Sequence, residues 1–225
     1  MKTLLISATD TDAGKTIITT ALRAYYQQYF SGLKVGLMKL LQTGVEGDGE
    51  FYQQFFDDVV IPLRFNAPLA PPVAAALEGK FIDLNVIWQS LLKLQQSHDL
   101  LLVEALGGLG SPITHDLTIA QLASNWHLET ILVVPVKLGA IAHTVANVAL
   151  AKHHKVKLKG IVLNCINSCS EEDINNWTSK QLIESLTQVP ILGCFPYVDK
   201  IDNLADLAQI TAHNLNLTKL NINRE

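Results

Sequence analysis

Apolar and polar positions along this chain follow two rhythms. Short runs that are apolar at nearly every position fall at residues 4–8, 34–38, 100–104, 130–136, 159–164 and 191–195. Continuous runs of that length suit strands covered on both faces. Between them lie stretches with helical spacing, at residues 15–30, 49–57, 84–96, 119–126, 141–153, 171–186 and 203–215, with Asp48, Asp83 and Ser170 placed as caps. Strand and helix alternate throughout, which predicts βαβ units and a mostly parallel α/β sheet of about seven strands, six or seven by this reading, with helices on both faces. The proline-rich stretch 62–72 reads as a loop. No linker, repeat or low-complexity tract breaks the pattern, so residues 1–218 are expected to form a single domain, with 219–225 a polar tail that frays.

Composition narrows the class of protein. With 225 residues, 48% apolar and 17% charged, the chain can bury a substantial core. Mean hydropathy is +0.23, yet the apolar stretches 100–103 and 131–136 end at Glu104 and Lys137, far short of a span of about 20 residues. No cleavage-site pattern follows Met1, so a cytoplasmic protein is expected. The net charge of −4 comes with scattered Lys and Arg, which leaves no basic footprint for a nucleic acid or an anionic membrane. Cys165, Cys169 and Cys194 cannot all pair, and their spacing lacks the two pairs of a structural zinc site; they read as reduced thiols.

Ligands of an open parallel sheet bind beyond the carboxyl ends of its strands. After the first strand comes Ala8-Thr9-Asp10-Thr11-Asp12-Ala13-Gly14-Lys15-Thr16, and then, from Ile17 on, an amphipathic helix. Gly14 lets the backbone approach a polyphosphate, Lys15 can neutralise the β and γ phosphates, and the Thr16 hydroxyl can hold Mg²⁺. Lys39 and Thr43 follow the second strand, and Asp48 stands at the next helix start, where a simple cap is the alternative. Glu104 ends the third strand before Ala105, Leu106, Gly107 and Gly108, a placement suited to a hard metal with room for a nucleotide beside it. His143 reads as packing or capping at a helix start, and His153-His154 as a solvated helix end. Taken alone, the strand ends at Asn164 and at Pro196-Tyr197 are ordinary turns.

The phosphate loop is not the generic one, because Thr9 stands where a glycine is usual, five positions before Gly14. It resembles the elongated Gly-Thr-Asp-Thr-x-x-Gly-Lys-Thr loop of the dethiobiotin synthetases, matching at Thr9, Asp10, Thr11, Gly14, Lys15 and Thr16, with Ala8 in place of the first glycine. Gly36 to Lys39 is similar to that family's Gly-x-Lys-Pro segment, with Leu40 for the proline; Asp48-Gly49-Glu50 is similar to Asp-x-Glu; and Glu104 to Gly108 is similar to Glu-Gly-Ala-Gly-Gly, departing at Ala105 and Leu106. The segment 136–143 resembles the family's Val-x-Leu-Gly-x-Ile-Asn-His turn, with Ala142 for the asparagine.

The resemblance runs in order from Thr9 to Tyr197. It implies a P-loop nucleotide-binding fold, with Lys15 and Lys39 clamping the reacting groups and Mg²⁺ held by Thr16, Asp48 and Glu104. ATP would lie along Asp12 to Ile17, Asp48 and Glu104 to Gly107, with adenine among Asn164, Cys165, Pro196, Tyr197 and Val198. An amide such as Asn164 can donate and accept against adenine's edge. Thr11 and Thr43 would orient the substrate, whose tail would meet Leu138, Gly139, Ala140, Ile141 and Ala142 of a homodimer partner. The implied substrates are ATP, carbon dioxide and 7,8-diaminononanoate, and the implied product is dethiobiotin. Three alternatives stay open: another amidoligase of this loop type, a nucleotide-switched partitioning ATPase, and a paralogue that binds nucleotide without turnover.

Overall fold

The computed structural model describes residues 1–222. Its elements in chain order are β1 (Lys2–Ala8), α1 (Lys15–Tyr29), β2 (Val35–Lys39), β3 (Gln42–Thr43), α2 (Asp48–Gln53), β4 (Arg64–Phe65), α3 (Pro71–Leu77), α4 (Leu84–Ser97), β5 (Leu100–Gly108), α5 (Ile119–Asn125), β6 (Glu129–Pro135), α6 (Ala140–His153), β7 (Lys157–Asn164), α7 (Glu171–Trp177), α8 (Lys180–Thr187), β8 (Ile191–Phe195) and α9 (Leu204–Asn214). Six strands form one sheet in the order β2-β5-β1-β6-β7-β8, and every neighbouring pair is parallel. The expected sheet of about seven strands is therefore one of six. β3 and β4, two residues each, pair only with each other, Gln42 opposite Arg64.

Side-chain alternation divides the core in two. Leu5, Met38, Leu101, Val103, Leu132, Val134, Ile161 and Leu163 pack on one face with residues of α4, α5, α6 and α8. Leu4, Ile6, Leu37, Leu100, Leu102, Ile131, Val133 and Val162 pack on the other with α1, α2 and α9. Because both faces are covered, neither set alternates with polar residues, which is why the strands read as unbroken apolar runs. Among the described residues no helix is long and apolar enough to cross a membrane.

Several boundaries differ from expectation, each for a local reason. The helix expected over 171–186 breaks between α7 and α8, where Thr178 bonds its hydroxyl back to the Ile174 carbonyl at 2.7 Å and leaves helical geometry. The proline-rich loop contains β4 and the start of α3, whose first position is Pro71, where a missing N–H costs nothing. After Leu217 the chain does not fray at once: residues 217–220 make a 3-10 turn, and Leu220 and Ile222 are buried against α1 and α9. The rest of the expected tail, 223–225, lies outside the described residues.

Candidate active site

β1 is flanked by β5 and β6, so the loop leaving it opens at the point where the sheet's connections diverge to either side. Gly14 sits in left-handed geometry (φ 82°) just before α1, and a Cβ there would collide with the Asn164 amide. That amide donates to the Ala13 carbonyl at 2.9 Å. The end of β7 thus props the phosphate loop from below. Lys15 is the first residue of α1, where the free N–H groups of the helix start add to its charge.

Parallel pairing brings the second lysine and the acid together. Lys39 lies opposite Glu104 in the β2–β5 register, and Glu104 lies opposite Ile6 in the β5–β1 register. Residues opposite each other in a parallel pair face the same side of the sheet. Lys39 follows Leu37, and Glu104 follows Leu100 and Leu102, on the face packed by α1 and α2. Two charged groups therefore cap an apolar column at its carboxyl end, and both are buried.

Their partners form a closed set. Lys39 Nζ bonds Asp48 Oδ2, and lies 3.2 Å from Glu104 Oε1. Thr16 donates its hydroxyl to Asp48 Oδ1 at 2.6 Å and stands 3.3 Å from Glu104 Oε1. With only one proton to give, it favours the shorter contact. Burial opposes the charge on Lys39, but Glu104 and Asp48 outweigh it and hold the ammonium above the usual lysine value. Burial likewise pushes Asp48 up, and Lys39 overcomes this to hold it below the usual carboxylate range. Glu104 goes the other way: full burial raises it despite Lys39. For Lys15 burial prevails as well, lowering it against the pull of Glu104.

One hydroxyl and two carboxylates, with all their donors oxygen, make a chemically apt set for Mg²⁺. In the structure the Lys39 ammonium provides the positive charge between the two acids. Asp48 is placed for this by the helix start. Gly47, not Asp48, holds the cap position of α2, so Asp48 is the first helical residue and turns its carboxylate into the site.

Around this centre runs a groove in two parts. A cleft of about 850 Å³ is lined by Thr11, Asp12, Gly14, Lys15, Thr16, Lys39, Thr43, Asp48, Glu104, Leu106 and Gly107, together with Leu41, Pro68–Pro71, Ser111 and Pro112. A second hollow of about 550 Å³ is lined by Ile17, Asn164, Cys165, Pro196, Tyr197 and Val198, and also by Phe51, Gln54, Phe55 and Asp199–Ile201. The two share Asp12, Gly14, Thr16 and Asp48, so a ligand can pass over the phosphate loop from one to the other.

Most of the sequence-derived residues are gathered here, with exceptions. Ala105 points to the opposite face from Glu104 and is buried in the α4–α5 core, so its side chain lines neither hollow. Ala13 is fully buried and takes part through its carbonyl. Asn164 commits a side-chain N–H to that carbonyl. Residues 138–142 line neither part of the groove in their own chain; Leu138 is 82% exposed, and Gly139 caps α6 in left-handed geometry. Lys137 reaches back to Asp10 at 3.1 Å and ties that turn to the outer side of the phosphate loop. His143 is exposed near the start of α6.

Sequence reasoning missed the Pro68–Pro71 wall, the Ser111-Pro112 edge and the phenylalanines of the second hollow. The first lies in the proline-rich stretch 62–72, which reads as a loop. The phenylalanines lie within the helical pattern 49–57, where nothing local separates packing residues from lining ones.

Comparison with known proteins gives the family and the fold. Residues 2–205 match the family described as AAA domain. The ATP-dependent dethiobiotin synthetase BioD of Gloeothece citriformis is 56% identical over 225 residues, covering 98% of this chain and 99% of the relative. This chain belongs to the dethiobiotin synthetases. The dethiobiotin synthetase of a Synechocystis species is 53% identical over 218 residues, 94% of this chain and 92% of the relative. Beyond the family, two solved structures share the fold. The MinC:MinD cell division protein complex of Aquifex aeolicus aligns with TM-score 0.59 at 14% identity, covering 93% of this chain and 86% of that one. A ParA family ATPase of Chlorobium tepidum aligns at 0.55 and 12%, covering 97% and 92%. At such identities these neighbours bear on fold alone; the dethiobiotin synthetases share the sequence from end to end.

Proposed function

We propose that this chain closes a cyclic urea on 7,8-diaminononanoate in the cytoplasm, using carbon dioxide and ATP and releasing dethiobiotin, ADP and phosphate. The observation that carries this reading is that the family's phosphate loop, with Lys15 and Thr16, and Lys39 line one cleft together. One hollow, with Phe51, Phe55, Pro196 and Tyr197 on its walls, suits a base; the other is roomier and carries the lysines and threonines that suit a diamine and its carbamate.

In this reading one substrate amine captures carbon dioxide as a carbamate. A carbamate oxygen attacks the γ phosphorus as the bond to ADP breaks, leaving a carbamic-phosphoric anhydride. The second amine then attacks its carbonyl, loses a proton and expels phosphate. Both nucleophiles come from the substrate, so the protein's work is positioning and neutralising spread negative charge. Lys15 and Lys39 clamp the γ-phosphate and carbamate, while Thr11 and Thr43, both on the cleft wall, orient the carbamate and amine. Thr16, Asp48 and Glu104 would hold Mg²⁺, which when bound neutralises the phosphate oxygens.

A coupled assay of ADP release tests the reaction. Release is expected only when diaminononanoate and bicarbonate are both supplied; release indifferent to the diamine would replace this reading with that of a nucleotide switch. The reading also makes the active unit a homodimer, with residues 137–143 of one protomer closing the cleft of the other. Two features support it: the turn is absent from its own cleft, and the first turns of α6 face solvent with Ala142, His143, Ala146 and Ala149, the exposed Lys152 coming only in the last turn. A protein that turns over normally while light scattering reports a monomer rules out the shared cleft.

A further inference from the structure

The acid at the centre of the site is held from behind by a tyrosine. Tyr52 is fully buried, and its hydroxyl donates to Glu104 Oε2. The other carboxylate oxygen, Oε1, is the one near Lys39 Nζ at 3.2 Å and Thr16 Oγ1 at 3.3 Å. The two oxygens of Glu104 are thereby assigned different tasks: one is anchored inward, and the other is aimed at the groove. Tyr52 also lies one helical turn after Asp48 on α2, so both project from the same face of that helix.

We propose that Tyr52 is a positioning residue for the divalent cation: it fixes the rotamer of Glu104 and, through α2, sets the spacing between Glu104 and Asp48. A purely apolar role does not account for the hydroxyl. Phe51, Phe55 and Phe56 serve as aromatic packing in the same segment without one. Without the phenol, Oε2 would be a buried carboxylate oxygen with no hydrogen bond among the side chains around it. It would turn toward the groove or toward Lys39, and the oxygen set would lose its spacing. Groups that orient metal ligands typically change affinity by about 10- to 100-fold when removed.

This inference rests on Glu104 being a cation ligand, and the experiment separates the two. Mn²⁺ is titrated into the protein with excess ADP, and free Mn²⁺ is read by electron paramagnetic resonance, for wild type, Glu104→Gln and Tyr52→Phe. Both variants are expected to bind Mn²⁺ at least about tenfold more weakly, while Tyr52→Phe keeps the wild-type ADP affinity in the presence of chelator. Weak binding in Glu104→Gln with wild-type binding in Tyr52→Phe overturns the role of Tyr52 and leaves the metal assignment standing. Wild-type binding in Glu104→Gln overturns the metal assignment, and the inference with it. A residue that merely packs would lower the melting temperature of Tyr52→Phe without moving Mn²⁺ affinity.

A measurement on the unaltered protein covers the case in which Tyr52→Phe does not fold. The chain has five tyrosines, and labelling the carbon that bears each hydroxyl gives one NMR signal apiece. With ADP held constant, Mg²⁺ is expected to move one signal, because loading Oε1 changes the hydrogen bond at Oε2. Tyr25, Tyr26 and Tyr29 lie in the last turns of α1, away from the phosphate loop, and Tyr197 sees the same nucleotide throughout. If no signal moves, the coupling through Glu104 does not exist.

Discussion

Replacing Lys15 by alanine is expected to cut ADP release at saturating substrates by about a thousandfold or more, with little change in the melting temperature. The size follows from where the charge sits. Lys15 is 7% exposed and belongs to a half-enclosed groove, where a positive charge aimed at phosphate oxygens is weakly screened. Removing one fixed donor to a developing charge typically costs about 10²- to 10³-fold, and a cationic clamp on transferring phosphoryl groups costs more. A thousandfold is about 4 kcal/mol of transition-state stabilisation. The fold should be indifferent because Lys39 remains to balance Asp48 and Glu104, and because Lys15 itself is short of full compensation, its ammonium being pulled down by burial. Lys15→Arg should not restore the rate, since a broad guanidinium fork does not present the compact point charge of an ammonium at the same place. A Lys15→Ala enzyme within tenfold of wild type would remove this lysine from the phosphate clamp.

Lys39→Ala should behave differently, failing first as a folded protein and only then as a catalyst. Its ammonium is the shared partner of a fully buried carboxylate and a second, partly exposed one. Removing one member of such a buried set leaves uncompensated charge and typically costs about 3–5 kcal/mol. Urea unfolding of the variant without ligands should show a loss of that order. Mg²⁺ with ADP should recover much of it, because a cation bound to Thr16, Asp48 and Glu104 supplies the missing charge and stabilises the folded state by mass action. The same variant, assayed with ligands present, should still be slow by about 10²-fold, since the carbamate has lost its clamp. A stability loss that is the same with and without Mg²⁺ and ADP would mean that Lys39 is a structural counter-ion only.

How far such a site can be read without coordinates depends on whether its pieces are local. The phosphate loop is local: strand, Gly14-Lys15-Thr16 and helix are contiguous, and each signals itself. All six strands of the main sheet were legible because burial on both faces makes their sequences continuously apolar. Lys39 and Glu104 were each visible at a strand end, but their meeting depends on the β2–β5 register across 65 residues, which no local pattern records. Tyr52 was invisible for a related reason: in a helix of six residues an apolar stripe and a functional face cannot be told apart. The break before Ser179 carries neither glycine nor proline, so the helical period ran straight through it. Ala105 falls with the nucleotide through the family resemblance alone; β5, expected to end at Glu104, continues to Gly108, and its alternation turns the Ala105 side chain away.

The strand order also bears on how the site comes into being as the chain is synthesised. β1 is made first, yet it pairs with neither of the strands that follow it closely; its partners are β5, ending at Gly108, and β6, ending at Pro135. Until these have left the ribosome, the strand that carries the phosphate loop has no neighbour on either side. The loop waits longer still, because the side chain that props the Ala13 carbonyl is residue 164. A nascent chain that ends before β5 is therefore an unpaired central strand and a loop without the Asn164 support. The long-range pairings that complete its core also complete the support of its phosphate loop.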